Sequence, residues 1–133
     1  MDQRSTLQTL REYFQAHDDV CAVYLFGSVA RGTDRPSSDV DVGVLYFQAP
    51  PSTLLGQPYG WEADLSERLK RTVQIVVLNS APPDLVHRVL RDSVLLLERD
   101  RRKRVEFEVT ARREYFDVLP YLRLYRRQGT SAS

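Results

Sequence analysis

The sequence predicts an α/β fold, because short β-branched and aromatic runs alternate with segments of helical periodicity and a long charged helical segment closes the chain. At 133 residues the chain is large enough for a real core and below the size at which chains usually split. One domain over 1–133 is therefore expected, with a core from about 5 to 100 and a C-terminal helix from about 101 to 127. The formal charge of +1, with 28% charged residues, excludes a strongly basic nucleic-acid or membrane-surface binder.

The first helix is expected from Ser5 to about Asp18, where Leu7, Leu10 and Phe14 share a face and Ser5 with Gln8 makes a capping-box pattern. "VCAVYLF" (20–26), ended by glycine, reads as a buried strand. Its Cys21 has no partner for an internal disulfide and reads as a buried thiol in a reducing compartment. "GSVARGTDRPSS" is rich in turn formers and predicts a loop with one helical turn at its start. "DVDVGVLY" then alternates, with Asp39, Asp41 and Gly43 on one face and Val40, Val42 and Val44 on the other, the pattern of a half-buried strand.

"QAPPSTLLGQPYG" (48–60) reads as a surface excursion and "WEADLSERLKR" (61–71) as a helix. "TVQIVVLN" is a strand that Gln74 interrupts with a polar side chain. "SAPPDLVHRVLRD" predicts a helix with Ser80 as cap, prolines in the first turn, and Leu85, Val86, Val89 and Leu90 on its apolar face. "SVLLLE" is a short strand. From Arg101 the closing helix places Val105, Val109, Phe116, Leu119 and Leu122 roughly in register, with a kink or stop near Pro120. No apolar run approaches the roughly 18 residues of a membrane span, and "MDQRSTLQTL" lacks the basic-then-apolar pattern of a signal peptide, so a cytoplasmic protein is expected.

The chemistry concentrates between Gly27 and Asp41. Same-face positions on a strand lie about 6.7 Å apart, so the carboxylates of Asp39 and Asp41 can converge on one space, where they repel unless a cation is shared. Two carboxylates plus substrate phosphates form the incomplete cage that Mg²⁺ accepts, the arrangement of phosphoryl or nucleotidyl transfer. Gly27 lets backbone approach a phosphate, and the Ser28 hydroxyl adds a donor. Arg31, one helical turn on, reaches toward the same anion. Separately, a Gly-Ser turn is ordinary and an Asp-x-Asp edge is often a solvated face. In this order, with ten residues between Ser28 and Asp39, they are far more specific.

"GSVARGTDRPSSDVD" resembles the Gly-Ser-x10-Asp-x-Asp signature of the DNA polymerase β-like nucleotidyltransferase superfamily. The short length, the "RG" after Gly-Ser, the "SDVDV" ending and "LNSAPPDLVHRVLRDSVLLLERD" are similar to its minimal nucleotidyltransferase branch, the MntA-type antitoxins. The resemblance covers about Val20 to Asp100 and, more loosely, the last helix. It implies a polymerase β-like fold with a small mixed sheet flanked by helices, Mg²⁺ as cofactor, and transfer of AMP from ATP to a hydroxyl. It also implies a HEPN-domain RNase toxin as partner in a hetero-oligomer, neutralised by adenylylation of a tyrosine and by complex formation, with nucleic acid met only through the toxin. By position, Asp39 and Asp41 would be catalytic and bind metal, and Gly27, Ser28 and Arg31 would bind the nucleotide. The family's usual third carboxylate falls at Gln74, whose amide oxygen coordinates weakly and cannot act as a base. The alternative is therefore a degenerate antitoxin that acts by binding alone. A small-molecule nucleotidyltransferase is a weaker one, since the acceptor-gripping extra domain of that type is not evident in the sequence.

Other residues read as structural. Glu62 and Asp64, on a helix preceding the Gln74 strand, are poor substitutes for the missing carboxylate. His17 is a helix-end residue, and His87 sits among apolar neighbours in a helix; neither has ligand spacing for zinc. Ser37 and Ser38 are candidates to brace the loop before Asp39. The arginines from Arg99 onward read as a solvated face paired with Glu106, Glu108 and Glu114, or as contact with an acidic partner. Trp61, Tyr121 and Tyr125 are candidate interface anchors, while Tyr115 fits core packing equally well.

Overall fold

The computed structural model describes residues 3–49 and 58–132, the last five of these by backbone only. The elements run α1 (Gln3–Gln15), β1 (Val20–Phe26), α2 (Gly27–Arg31), β2 (Val40–Tyr46), α3 (Tyr59–Leu69), β3 (Val73–Val77), α4 (Pro83–Asp92), β4 (Val94–Glu98) and α5 (Arg101–Ala132). The strands form one mixed sheet in the order β3-β2-β1-β4. β1 is antiparallel to both β2 and β4, whereas β2 and β3 are parallel and joined through α3.

The sheet is covered on both faces. Val23, Leu25, Val40, Val42, Val44 and Val73 pack with Leu10 and Phe14 of α1 and with Trp61, Leu65 and Leu69 of α3. Ala22, Tyr24, Leu45 and Leu78 pack on the other face with Val86 and Val89 of α4 and Ala111 of α5. This second layer corrects the expectation of a half-buried β2. Gly43 and Leu45, on the aspartate face, are buried, and a methyl added at Gly43 would meet Val89 and Leu78. Only the Asp41 end of that face stays partly open.

Several boundaries differ from the sequence expectation for local reasons. α1 is already helical at Gln3, so Ser5 lies inside it rather than capping it, and Gln8 donates to Glu12 instead. α3 begins at Tyr59, two residues before Trp61, and the rest of the proline-rich excursion from 50 to 57 lies outside the described residues. α4 is entered from an extended Pro82 with Pro83 in its first turn, as expected of the prolines, and Ser80 does not cap it, since Pro82 holds the N-cap position without a side-chain bond. α5 continues through Pro120 to Ala132, five residues beyond the expected end.

The face of α5 is also corrected. Val105, Val109 and Phe116 are exposed, Leu119 and Leu122 are partly buried as Phe107 and Tyr115 are, and Ala111 is the buried residue. The helix is tethered by Arg104, which pairs with both Glu98 and Glu108, while Tyr115 stacks on His87 at 3.7 Å. Arg102 pairs with Glu106 as the solvated-face reading expected. Trp61 is not an exposed anchor: it is 5% exposed, stacks on Tyr46 and meets His17 at a tilt. Tyr121 and Tyr125 do stand in solvent. Cys21 is buried, and burial pushes its thiol pKa up. No helix among the described residues is long and apolar enough to cross a membrane.

Candidate functional site

The site lies where β1 ends and β2 and β3 begin. Register puts Asp41 of β2 between Phe26 of β1 and Gln74 of β3, so three neighbouring strands deliver a turn, a carboxylate and an amide to one edge. β1 gives way to α2 at Gly27, whose φ of +77° is a left-handed conformation that side chains rarely adopt. The backbone there touches the acid: a Cβ on Gly27 would sit 2.3 Å from Asp41 Oδ2. The left-handed φ favours glycine there, and a Cβ would displace the Asp41 carboxylate. α2 closes at Gly32, also left-handed with φ +73°, and Thr33 N–H donates to Ser28 O.

Asp39 stands one residue before β2 and is exposed; its Oδ2 accepts a hydrogen bond from Gln74 Nε2 at 3.2 Å. Asp41 is partly buried, and its carboxyl is pushed above the ordinary carboxylate range first by that burial and then by Asp39, with Arg31 acting in the opposite direction. The loop leading to Asp39 is fixed from behind by Arg71. Its guanidinium donates to Ser38 O at 2.8 and 3.0 Å and to Arg35 O at 3.0 Å, and pairs with Asp34 at 3.0 Å. Ser38 Oγ accepts from Arg35 N–H, as the bracing role predicted for it requires. Arg71 was missed in the sequence because an arginine at a helix end carries no signal of the loop it will meet.

A cavity of about 330 Å³ opens beside the carboxylate, with Gly27, Arg31, Asp41 and Gln74 on one side. Its other side is α4, which contributes Arg88, Arg91 and Asp92. The structure thus gathers Gly27, Arg31, Asp41 and Gln74 around one space. Asp39 joins them through Gln74, and Ser28 does not line the cavity. Glu62 and Asp64 are engaged elsewhere: Glu62 accepts Ile75 N–H at 2.7 Å and Asp64 accepts from Tyr13 at 3.0 Å. Among the described residues no group of three or more His, Cys, Asp or Glu side chains is placed to hold a metal ion. Arg88 and Arg91 escaped the sequence reading because they fall on the polar side of an amphipathic helix, where solvation is the ordinary fate of arginine.

A short catalytic-looking turn, a pair of acids at the start of a strand and a mixed sheet with helices on both faces define a nucleotidyltransferase architecture. The family model described as polymerase beta, nucleotidyltransferase matches residues 8–102, and the chain belongs to that family. Among solved structures, a toxin–antitoxin with AMP-PNP is 20% identical with a TM-score of 0.74, covering 95% of this chain and 96% of that one. The tri-AMPylated Shewanella oneidensis HEPN toxin in complex with MNT antitoxin is 19% identical with a TM-score of 0.69, over 98% of this chain and 97% of that one. A candidate minimal nucleotidyltransferase is 34% identical with a TM-score of 0.57, over 71% of this chain and 95% of that one. No curated protein matches the chain.

Proposed function

We propose that this protein is an antitoxin-type minimal nucleotidyltransferase that transfers AMP from Mg-ATP to a hydroxyl, a tyrosine hydroxyl above all, of a cognate HEPN-domain RNase toxin in the cytoplasm. The observation that carries this reading is the contact of the Asp41 carboxylate with the left-handed Gly27 turn, with Asp39 beside it and Arg31 opposing its charge. The fold likeness to a toxin–antitoxin with AMP-PNP and to an MNT antitoxin with a tri-AMPylated HEPN toxin supports the choice of nucleotide and partner.

The donor set fits a hard divalent cation. Two neighbouring carboxylates, one of them held partly out of water against its charge preference, are the protein contribution expected of a magnesium site completed by water and substrate phosphates. Asp39 and Asp41 would hold the ion, with the Gln74 amide oxygen as a weak third donor. Bound magnesium supplies charge neutralisation of the phosphates and a more acidic acceptor hydroxyl. Gly27 gives the phosphate chain access to the backbone and Arg31 donates to its oxygens, whereas Ser28 lies outside the cavity lining. With the tail held, the acceptor oxygen bonds to the α-phosphorus as the bond to the α,β-bridging oxygen breaks, and pyrophosphate leaves with that electron pair. The hydroxyl proton passes to solvent.

The missing third carboxylate favours a second reading, neutralisation by binding alone. Gln74 occupies the position in register with Asp41 and spends its amide N–H on Asp39. ATP labelled at the α-phosphate separates the two. On the first reading, label passes to the HEPN partner and falls at least about 100-fold with Asp39→Ala or Asp41→Ala. Absence of transfer, with partner association that survives both substitutions, establishes the second. Gln74→Asp is expected to raise transfer roughly 100-fold or more where the lost carboxylate limits the rate. An unchanged rate shows that Gln74 does not limit it.

A further inference from the structure

The wall of the cavity opposite the family's motif is unexplained by that motif. α4 sends Arg88 and Arg91, one helical turn apart, into the lining that faces Arg31 and Asp41. Arg91 is paired with Asp92 at 3.0 Å, whereas no ion pair or hydrogen bond of Arg88 occurs among the described residues. Three guanidiniums against the carboxylates of Asp41 and Asp92 leave this space cationic on the α4 side. Phe26, Val76 and Leu85 supply the apolar part of the lining.

Arg88 is exposed and makes no ion pair among the described residues, so its guanidinium is free to meet an anion that enters the cavity beside Asp41. A carboxylate or single phosphate would be satisfied by one guanidinium, but cations here come from two helices on opposite sides, suiting an anion with several charged groups in a row. The cavity, about 330 Å³, falls within the about 300–1,000 Å³ of small-molecule sites and has room for a phosphate tail.

We propose that Arg88, supported at the outer edge by Arg91, grips the β- and γ-phosphates of the nucleotide from the α4 side, so that α2 and α4 together form a polyphosphate clamp. This rests on the reading of the site as one for a magnesium-bound nucleoside triphosphate and adds to it the residues that tell triphosphate from monophosphate. Arg88 binds the part of the substrate that leaves, so its effect follows the tail and not the nucleoside. Arg91 contributes less, because binding must compete with Asp92 for its guanidinium.

Isothermal titration of the full chain with Mg-ATP, with AMP and with magnesium pyrophosphate tests this. Arg88→Ala is expected to weaken Mg-ATP and pyrophosphate about 10- to 100-fold, the range of a lost charge-assisted hydrogen bond. AMP binding and the thermal unfolding midpoint stay as in the unaltered chain. Arg88→Lys restores part of the loss, and Arg91→Ala costs a few-fold. If Arg88→Ala binds Mg-ATP and pyrophosphate as the unaltered chain does, or loses AMP in equal measure, the clamp is overturned and the nucleotide site itself stands. If the unaltered chain binds none of the three, both fall.

Discussion

Gly27→Ala is expected to damage the protein twice, in its stability and in its affinity for Mg-ATP. Alanine at φ +77° carries a backbone penalty, and its Cβ would lie 2.3 Å from Asp41 Oδ2, a separation that no packing tolerates. The chain relieves the clash by turning the Asp41 carboxylate away or by shifting the β1–α2 turn, and either movement dismantles the contact on which the site is built. Urea unfolding should show a loss of about 1–3 kcal/mol, the usual cost of such local strain. Mg-ATP affinity should fall at least about 10-fold, equivalent to about 1.4 kcal/mol. A double-mutant cycle with Asp41→Ala isolates the cause. With the carboxylate gone the clash disappears and only the φ penalty remains, so the pair should couple in stability by about 0.5 kcal/mol or more. Strict additivity would show that Gly27 and Asp41 do not meet in solution.

Asp41→Asn should make the metal-free protein more stable while removing its response to magnesium. The folded-state carboxyl is raised by burial and by Asp39, which means the folded chain holds this proton more tightly than the unfolded chain does. Ionised Asp41 therefore costs stability at pH values above its folded pKa, and that cost fades as pH falls through the folded pKa toward the unfolded value of about 3.9. The difference in Tm between Asp41→Asn and the unaltered chain should be positive by a few degrees at pH 7 without metal and close to zero near pH 4. Adding magnesium at pH 7 should raise the Tm of the unaltered chain and leave that of Asp41→Asn in place. A Tm difference that does not vary with pH would place Asp41 in ordinary solvent.

How much of this was legible beforehand depended on whether the signal was local. The strand "VCAVYLF", the helical turn at "GSVAR" and the alternation of "DVDVGVLY" were each readable in order, since β-branched runs, glycine and period-two patterning act on their immediate neighbours. Both aspartates and the Gly-Ser turn were identifiable as a constellation from residue type and spacing, whereas Gln74 joined it only through the family resemblance. Alternation could not say what covers the aspartate face. The face that carries Asp41 and Gly43 read as the open side of a half-buried strand, and Val89 of α4 with Leu78 closes it over Gly43. Helical periodicity misassigned part of α5: Val105, Val109 and Phe116 are exposed, while Leu119 and Leu122 are partly buried. The stripe through Val105, Val109 and Phe116 fits the period as well as the stripe through Ala111 that is buried.

The order of elements, the glycine at the turn and the pair of acids were determined by the sequence, because conformational preference and two-residue periodicity reach no farther than a few neighbours. Only the tertiary structure decided that Asp41 touches Gly27 and lies in register with Gln74. It alone fixed the loop before Asp39 with Arg71 and brought Arg88 and Arg91 across from α4. Those contacts join residues 14 to 64 positions apart, whose proximity is set by strand register and by helix packing on the sheet rather than by any local preference.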